Sequence, residues 1–101
     1  MTPAVLSRRA LRDLTAAARW IAQDNPAAAR AMRAAVAQAG DRIGAHRQIG
    51  RKRPELIDRP WRYLAISGFP YVIVYDDERD PPVILRILHG ARDLPEALKE
   101  H

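Results

Sequence analysis

Residues 83–94 read VILRILHGARDL, a run that begins as an apolar strand and ends in a turn at Gly90. Branched and aliphatic side chains favour a strand that closes a hydrophobic core, and the glycine favours the turn that follows. Arg86 lies within this strand, whereas His89 and Arg92 lie beside the turn. We therefore expect cationic groups at an exposed edge of a sheet, where a protein partner, a nucleic acid or only water contacts them.

The length and composition indicate one globular domain. The chain has 101 residues, enough for one modest core, and 48% of them are hydrophobic and 29% charged. It has no cysteine, which excludes disulfides and thiolate metal sites, and its three histidines are scattered. We expect no metal ion and no cofactor. No apolar run reaches the roughly 20 residues of a membrane helix, so we expect a cytoplasmic protein without a membrane partner.

The charge predicts an acidic partner, because the net charge is +5 and the isoelectric point is about 10.4. Nucleic acid, the ribosome and an acidic protein segment all meet that description. A basic surface that only water contacts is the alternative, since charge indicates the sign of a partner and not its identity.

The first half of the chain predicts a short strand followed by a helical hairpin. Residues 1–6 form the strand, and Ser7 is a suitable N-cap for a helix over 8–23. Asn25-Pro26 breaks this helix and starts a second one, so 8–44 form an antiparallel hairpin. Apolar residues recur at helical spacing in both helices: Leu11, Leu14, Ala18 and Ile21 in the first, and Ala29, Met32, Val36, Ala39 and Ile43 in the second.

The second half predicts a basic loop, a sheet and a C-terminal segment. Glycine, proline and basic residues make 45–60 an irregular loop. Residues 61–89 form a three-stranded sheet, and the short turns between its strands favour antiparallel pairing. The strands are 61–66, 69–75 (the central one) and 83–89, and residues 91–101 end the chain with a helical turn near Pro95. The fold class is therefore α+β: a helical hairpin packed on a small antiparallel β-sheet in a single two-layer domain.

Basic side chains of the loop and the strands are the candidate target-binding and partner-binding residues, because guanidinium groups bind phosphate and carboxylate groups. They are Arg51, Lys52, Arg53, Arg62, Arg86, His89 and Arg92.

Each candidate also has a structural alternative. The loop from Arg47 to Arg53 can be solvated, and a histidine at a strand end is commonly a hydrogen-bonded structural group. Arg62 and Arg86 can form ion pairs with Asp76, Asp77 or Glu55. Trp61 and Tyr63 can stack on bases or pack on the core.

The order of these elements and several motifs resemble a ParE-type toxin of the RelE/ParE superfamily. The motifs are Leu88-His89-Gly90-Ala91-Arg92-Asp93-Leu94, Gly50-Arg51-Lys52-Arg53-Pro54-Glu55-Leu56, Asn25-Pro26-Ala27-Ala28 and Tyr71-Val72-Ile73-Val74-Tyr75. The resemblance covers nearly the whole chain and implies a toxin of a type II toxin–antitoxin pair with the RelE/ParE-like fold. It also implies a ParD-like antitoxin whose C-terminal segment wraps the toxin. A basic toxin suits an acidic, partly disordered arm.

The resemblance further implies the target. ParE-like members are associated with inhibition of DNA gyrase and lack a nuclease site, whereas RelE-like members cut messenger RNA on the ribosome. Here Val72 takes the place of a nuclease arginine and Leu98 that of a nuclease tyrosine, and neither side chain can accept a proton or stabilise a charged phosphate. A non-enzymatic gyrase inhibitor is therefore expected. The alternative is a ribosome-dependent endoribonuclease whose site would consist of Arg51, Arg62, His89 and Arg92.

Overall fold

The computed structural model describes residues 2–56 and 59–93, and within them two helices pack on a sheet. The elements are β1 (Val5–Leu6), α1 (Arg8–Ala22), α2 (Pro26–Ala45), β2 (Arg51–Lys52), β3 (Arg62–Ala65), β4 (Tyr71–Asp76) and β5 (Val83–His89). No helix in these ranges is long and apolar enough to cross a membrane. The predicted C-terminal turn, with Pro95 and Leu98, lies outside the described residues.

Both predicted helix starts are confirmed. The Ser7 hydroxyl accepts a hydrogen bond from the backbone N–H of Ala10, and the Asn25 side chain accepts one from Ala28, each at 3.1 Å. Pro26 is the first residue of α2, where its missing N–H costs no hydrogen bond. The two caps therefore set the residue at which each helix begins.

The sheet has five strands in the order β1-β5-β4-β3-β2, so the predicted central position of β4 is confirmed. The strands β3, β4 and β5 pair antiparallel, as predicted. β1 departs from the antiparallel prediction because it lies parallel to β5, and the helical hairpin belongs to the long connection that such pairing requires. Residues 51–52 were predicted as part of the loop because glycine, proline and basic residues dominate that stretch, and only their antiparallel pairing with β3 makes them a strand.

Each face of the sheet carries an apolar cluster. The helices cover the larger one, which includes Met32, Val36 and Ile43 from α2 and Ile73 from β4, each at most 2% exposed. On the opposite face Tyr63, Val74 and Leu88 are buried, with Leu56, Trp61 and Val72 packed against them. Two alternatives were predicted for Trp61 and Tyr63, stacking on nucleic-acid bases or packing on the core. Both side chains pack in this second cluster.

A bulge in β5 directs Arg86 away from its expected position. Val74 pairs with Arg86 but the next residue, Tyr75, pairs with Ile84, so Leu85 has no partner in the ladder. Simple alternation along the strand would place Arg86 on the same face as Ile84. Because of the bulge, Ile84 shares a face with Ile87 instead, and both lie in the same core cluster. Bulges change the direction of side chains in this way. As a result the Arg86 side chain reaches α1.

Candidate functional site

The candidate basic residues lie at two ends of the sheet. On β4, Tyr75 pairs with Arg62 and Tyr71 pairs with His89. Four residues of a strand span about 13 Å, and β3 and β5 lie on opposite sides of β4, about 10 Å apart. Arg51 and Arg62 are therefore far from His89 and Arg92, and the four residues of the nuclease alternative do not converge on one phosphate.

At the first end, Arg62 has a structural role. Its Nε donates to the Asp77 carboxylate at 2.8 Å and one Nη donates to the Gly50 carbonyl oxygen at 3.0 Å. Both side chains of the ion pair are largely buried, with 14% and 10% exposure. Asp77 is one of the three carboxylates considered in the sequence analysis. Arg62 thus attaches the preceding loop to the sheet.

Tyr75 fixes the same loop from beneath. Its side chain is fully buried, and its hydroxyl accepts from the Gly50 N–H at 2.8 Å and donates to the Arg47 carbonyl oxygen at 2.7 Å. Burial raises the pKa of this phenol. A Cβ at position 50 would lie 2.8 Å from the ring, so the close approach needs glycine. The loop leads directly into β2.

Arg51 and Lys52 are presented on that fixed edge. Both are exposed, and neither side chain forms an ion pair within the described parts of the chain. Arg53, by contrast, pairs with Glu55. The predicted basic stretch therefore divides into two available cations and one neutralised cation.

At the opposite end, the turn after β5 is closed by its own side chains. The backbone N–H of Arg92 donates to His89 Nδ1 at 3.1 Å, and the His89 N–H donates to the Asp93 carboxylate at 3.3 Å. The Arg92 guanidinium pairs with Asp93, and the His89 ring meets Tyr71 edge-on at 5.5 Å between centroids. Since Nδ1 already accepts a hydrogen bond, only Nε2 remains for other contacts. The structural alternative for His89 fits this arrangement.

Asp93→Asn should weaken the fold at neutral pH but not in acid. The Arg92 guanidinium and the His89 N–H lower the pKa of the Asp93 carboxyl, so the carboxylate stabilises the fold above its unfolded pKa of about 3.9. That contribution is lost as the pH falls through the folded pKa. The pair is exposed, so the effect at pH 7 should stay below about 1 kcal/mol. Urea unfolding from pH 7 to pH 2 measures it.

The Asp93→Asn and wild-type curves should converge below about pH 4, where the unfolded carboxyl also binds its proton. Arg92→Gln should remove most of the same pH dependence, which would assign it to the pair. A stability difference that stays constant down to pH 2 would contradict the assignment.

A groove of about 560 Å³ runs between α1, the N-terminal end of β4 and the C-terminal end of β5. Its walls combine apolar residues such as Leu88 with the cations Arg9 and Arg92. Trp20 stands at the α1 side and is 64% exposed, which is unusual for the largest apolar side chain. The groove therefore offers an aromatic anchor beside positive charge, a combination enriched at protein interfaces.

An ion pair between β5 and α1 forms the floor of the groove. Arg86 binds the Asp13 carboxylate through two nitrogens, at 2.8 and 3.2 Å, and the Ile87 N–H donates to the same carboxylate at 3.0 Å. The two side chains are only 11% and 16% exposed. Arg86 Nη1 is buried and has no hydrogen-bond partner in the described structure. The floor thus contains one buried donor that the described residues leave unsatisfied.

Sequence reasoning found Arg86, His89 and Arg92 at this end but missed Asp13 and Trp20. Both had a signal. Asp13 is the one acidic residue of α1, in a helix whose other charged residues are arginines. Trp20 precedes the apolar position Ile21 and so lies about 100° away from the buried stripe. A large aromatic residue off the buried stripe is a partner-binding signal.

Comparisons with known proteins agree with this fold. A solved structure described as "Chromosomal ParDE TA system from P. aeruginosa" is similar, with a TM-score of 0.68, 22% sequence identity, and coverage of 88% of this chain and 96% of that chain. No curated protein matches the sequence. A family model for the ParE toxin of type II toxin–antitoxin systems, parDE, matches residues 4–94. Because that match spans most of the chain, the protein belongs to the ParE toxin family of type II toxin–antitoxin systems.

Proposed function

We propose that this toxin inhibits DNA gyrase without catalysis and that a ParD-like antitoxin neutralises it. The observation that carries the non-catalytic proposal is the separation of the nuclease candidates across the sheet. Arg62 is held by Asp77, and His89 Nδ1 is held by a backbone N–H. Both proposed partners, DNA gyrase and the antitoxin, are cytoplasmic, so the toxin is proposed to act in the cytoplasm.

The groove is the proposed antitoxin site. An amphipathic acidic segment would place an apolar side chain against Trp20 and its carboxylates near Arg9 and Arg92. The Arg86–Asp13 ion pair beneath them is largely buried, so it would support the groove and leave the antitoxin contacts to Trp20, Arg9 and Arg92.

The β2 edge is the proposed gyrase contact. Arg51 and Lys52 are exposed and held in a fixed backbone by Tyr75 and Arg62. A rigid, cationic edge loses little conformational entropy on binding a negatively charged surface. The edge also lies at the far end of the sheet from the groove, so the two partners would contact separate surfaces.

Arg51→Gln/Lys52→Gln should weaken inhibition of gyrase by about tenfold or more, since two charge-assisted contacts are typically worth more than about 1.4 kcal/mol together. The measurement is the toxin concentration that halves supercoiling of relaxed plasmid by purified gyrase. Arg42→Gln/Arg79→Gln carries the same charge change on other surfaces and should inhibit like the wild type. Equal losses in both variants would indicate that only net charge matters.

The alternative function, a ribosome-dependent endoribonuclease, is tested by inducing the toxin in bacterial cells. Induction of the wild-type toxin should cause filamentation and DNA damage before messages are cleaved. Rapid cleavage of messenger RNA that His89→Ala or Arg92→Ala abolishes would overturn the gyrase proposal.

A further inference from the structure

We propose that the outer face of the helical hairpin binds the phosphate backbone of duplex DNA. Five arginines, which we term the hairpin arginines, are exposed on α1 and α2: Arg8, Arg12, Arg19, Arg30 and Arg33. Six other arginines have a carboxylate within 4.0 Å. The hairpin arginines have no such partner among the described residues, so their charge is available to a ligand.

The helical geometry places the three hairpin arginines of α1 on one side of that helix. Positions 8, 12 and 19 are separated by four and seven residues, which places them on the same side of α1. Residues on the other side, such as Leu14, are buried against the sheet, as are Met32 and Val36 of α2. The guanidinium groups therefore point away from the sheet, and they lie on a different side of α1 from the groove.

The composition of the surface favours phosphate over an acidic protein. Residues 8–45 contain seven arginines, three aspartates and no lysine. Guanidinium groups bind phosphate through two parallel hydrogen bonds. Apart from Leu11 and Trp20, the exposed residues of α1 and the turn after it are small or polar, as at Ala16 and Gln23. A protein partner needs a large buried anchor, whereas a phosphate backbone needs only charge and hydrogen-bond donors.

The exposed apolar side chains of α1 lie outside this stripe. Leu11 is adjacent in sequence to Arg12, and Trp20 to Arg19, so each points about 100° away from its arginine. The stripe from Arg8 to Arg19 is about 16 Å long at 1.5 Å per residue. Because the major groove is about 12 Å wide, the stripe is long enough for contacts to phosphates on both strands.

The binding should be independent of DNA sequence, because contacts to phosphate carry no sequence information. It should also depend strongly on salt, with a logarithmic slope of about −0.9 for each phosphate contacted. The test is fluorescence anisotropy of the purified full-length toxin with a 20-base-pair duplex of mixed sequence, labelled at one end, at several salt concentrations from 50 to 200 mM. Gyrase is absent, so the result is separate from the proposed target.

Arg8→Gln/Arg12→Gln/Arg19→Gln should bind the duplex about tenfold or more weakly at 100 mM salt and should reduce the salt slope by about 2 to 3. Arg42→Gln/Arg59→Gln/Arg79→Gln is the charge-matched control and should retain the wild-type slope. Arg30→Gln/Arg33→Gln should give a smaller loss of the same kind from the second helix. Circular dichroism of each variant verifies that it is folded.

Three results would overturn the proposal. The first is a folded wild-type toxin that does not bind the duplex at 50 mM salt. The second is an equal loss in the control and the α1 variants, because binding would then depend only on net charge. The third is competition by poly-glutamate as effective as that by unlabelled duplex, through the same arginines, because the surface would then bind an acidic protein segment.

Discussion

Asp13→Ala should destabilise the toxin by about 3–5 kcal/mol, because removing one member of a buried ion pair leaves the other charge uncompensated. Arg86 would lose both of its nitrogen contacts to the carboxylate, and the Ile87 N–H would lose its only acceptor. The Arg86 side chain is only 11% exposed, so water cannot replace the carboxylate fully. Urea unfolding at pH 7, followed by circular dichroism, measures the loss.

Replacing both members should be far milder. Asp13→Leu/Arg86→Met removes the charges together and fills the space with apolar atoms, a change that is often neutral or stabilising for a buried pair. Asp24→Ala, at an exposed position after α1, should change stability by less than about 0.5 kcal/mol. An Asp13→Ala loss below about 1 kcal/mol would mean that water reaches Arg86 and that the groove floor is not a desolvated site.

The local parts of the fold were predictable from the sequence. The strand Val83–His89 was predicted with its observed bounds because apolar residues lie on both sides of Arg86 and a glycine follows. The starts of both helices were predicted because Ser7, Asn25 and Pro26 act on backbone groups within a few residues. In these cases the decisive interaction is encoded within one turn or one strand.

The missed features depend on residues far apart in the chain. Arg86 meets Asp13 across 73 positions, and the β5 bulge that permits this contact exists only through pairing with β4. β2 is a strand only because β3 lies beside it. Charge selects the basic residues as candidates, but only their pairing in the fold shows which of them are available. Arg62 and Arg86 stabilise the fold, whereas Arg51 and Lys52 remain exposed.

Trp20→Ala should weaken binding of the ParD-like antitoxin by about 2–4 kcal/mol, which is a rise in Kd of roughly 30-fold or more. Trp20 is 64% exposed in the free toxin and stands over a groove that contains an unsatisfied donor. Burying an indole in an interface removes a large apolar area from water. The measurement is the dissociation rate of the purified complex, because changes within one interface act mainly on dissociation.

Leu11→Ala is the matched control, because Leu11 is also an exposed apolar residue of α1, with 53% exposure, and lies on a different side of the helix from the groove. It should leave the dissociation rate within about threefold of the wild type, as surface substitutions away from a contact do. The Trp20→Ala toxin itself should unfold like the wild type, since so much of the ring is already in water. The two substitutions should thus separate stability from affinity. Asp13 supports the floor of the groove from inside the fold, whereas Trp20 should contribute only when the antitoxin binds. Equal dissociation rates for both variants would place the antitoxin on another surface.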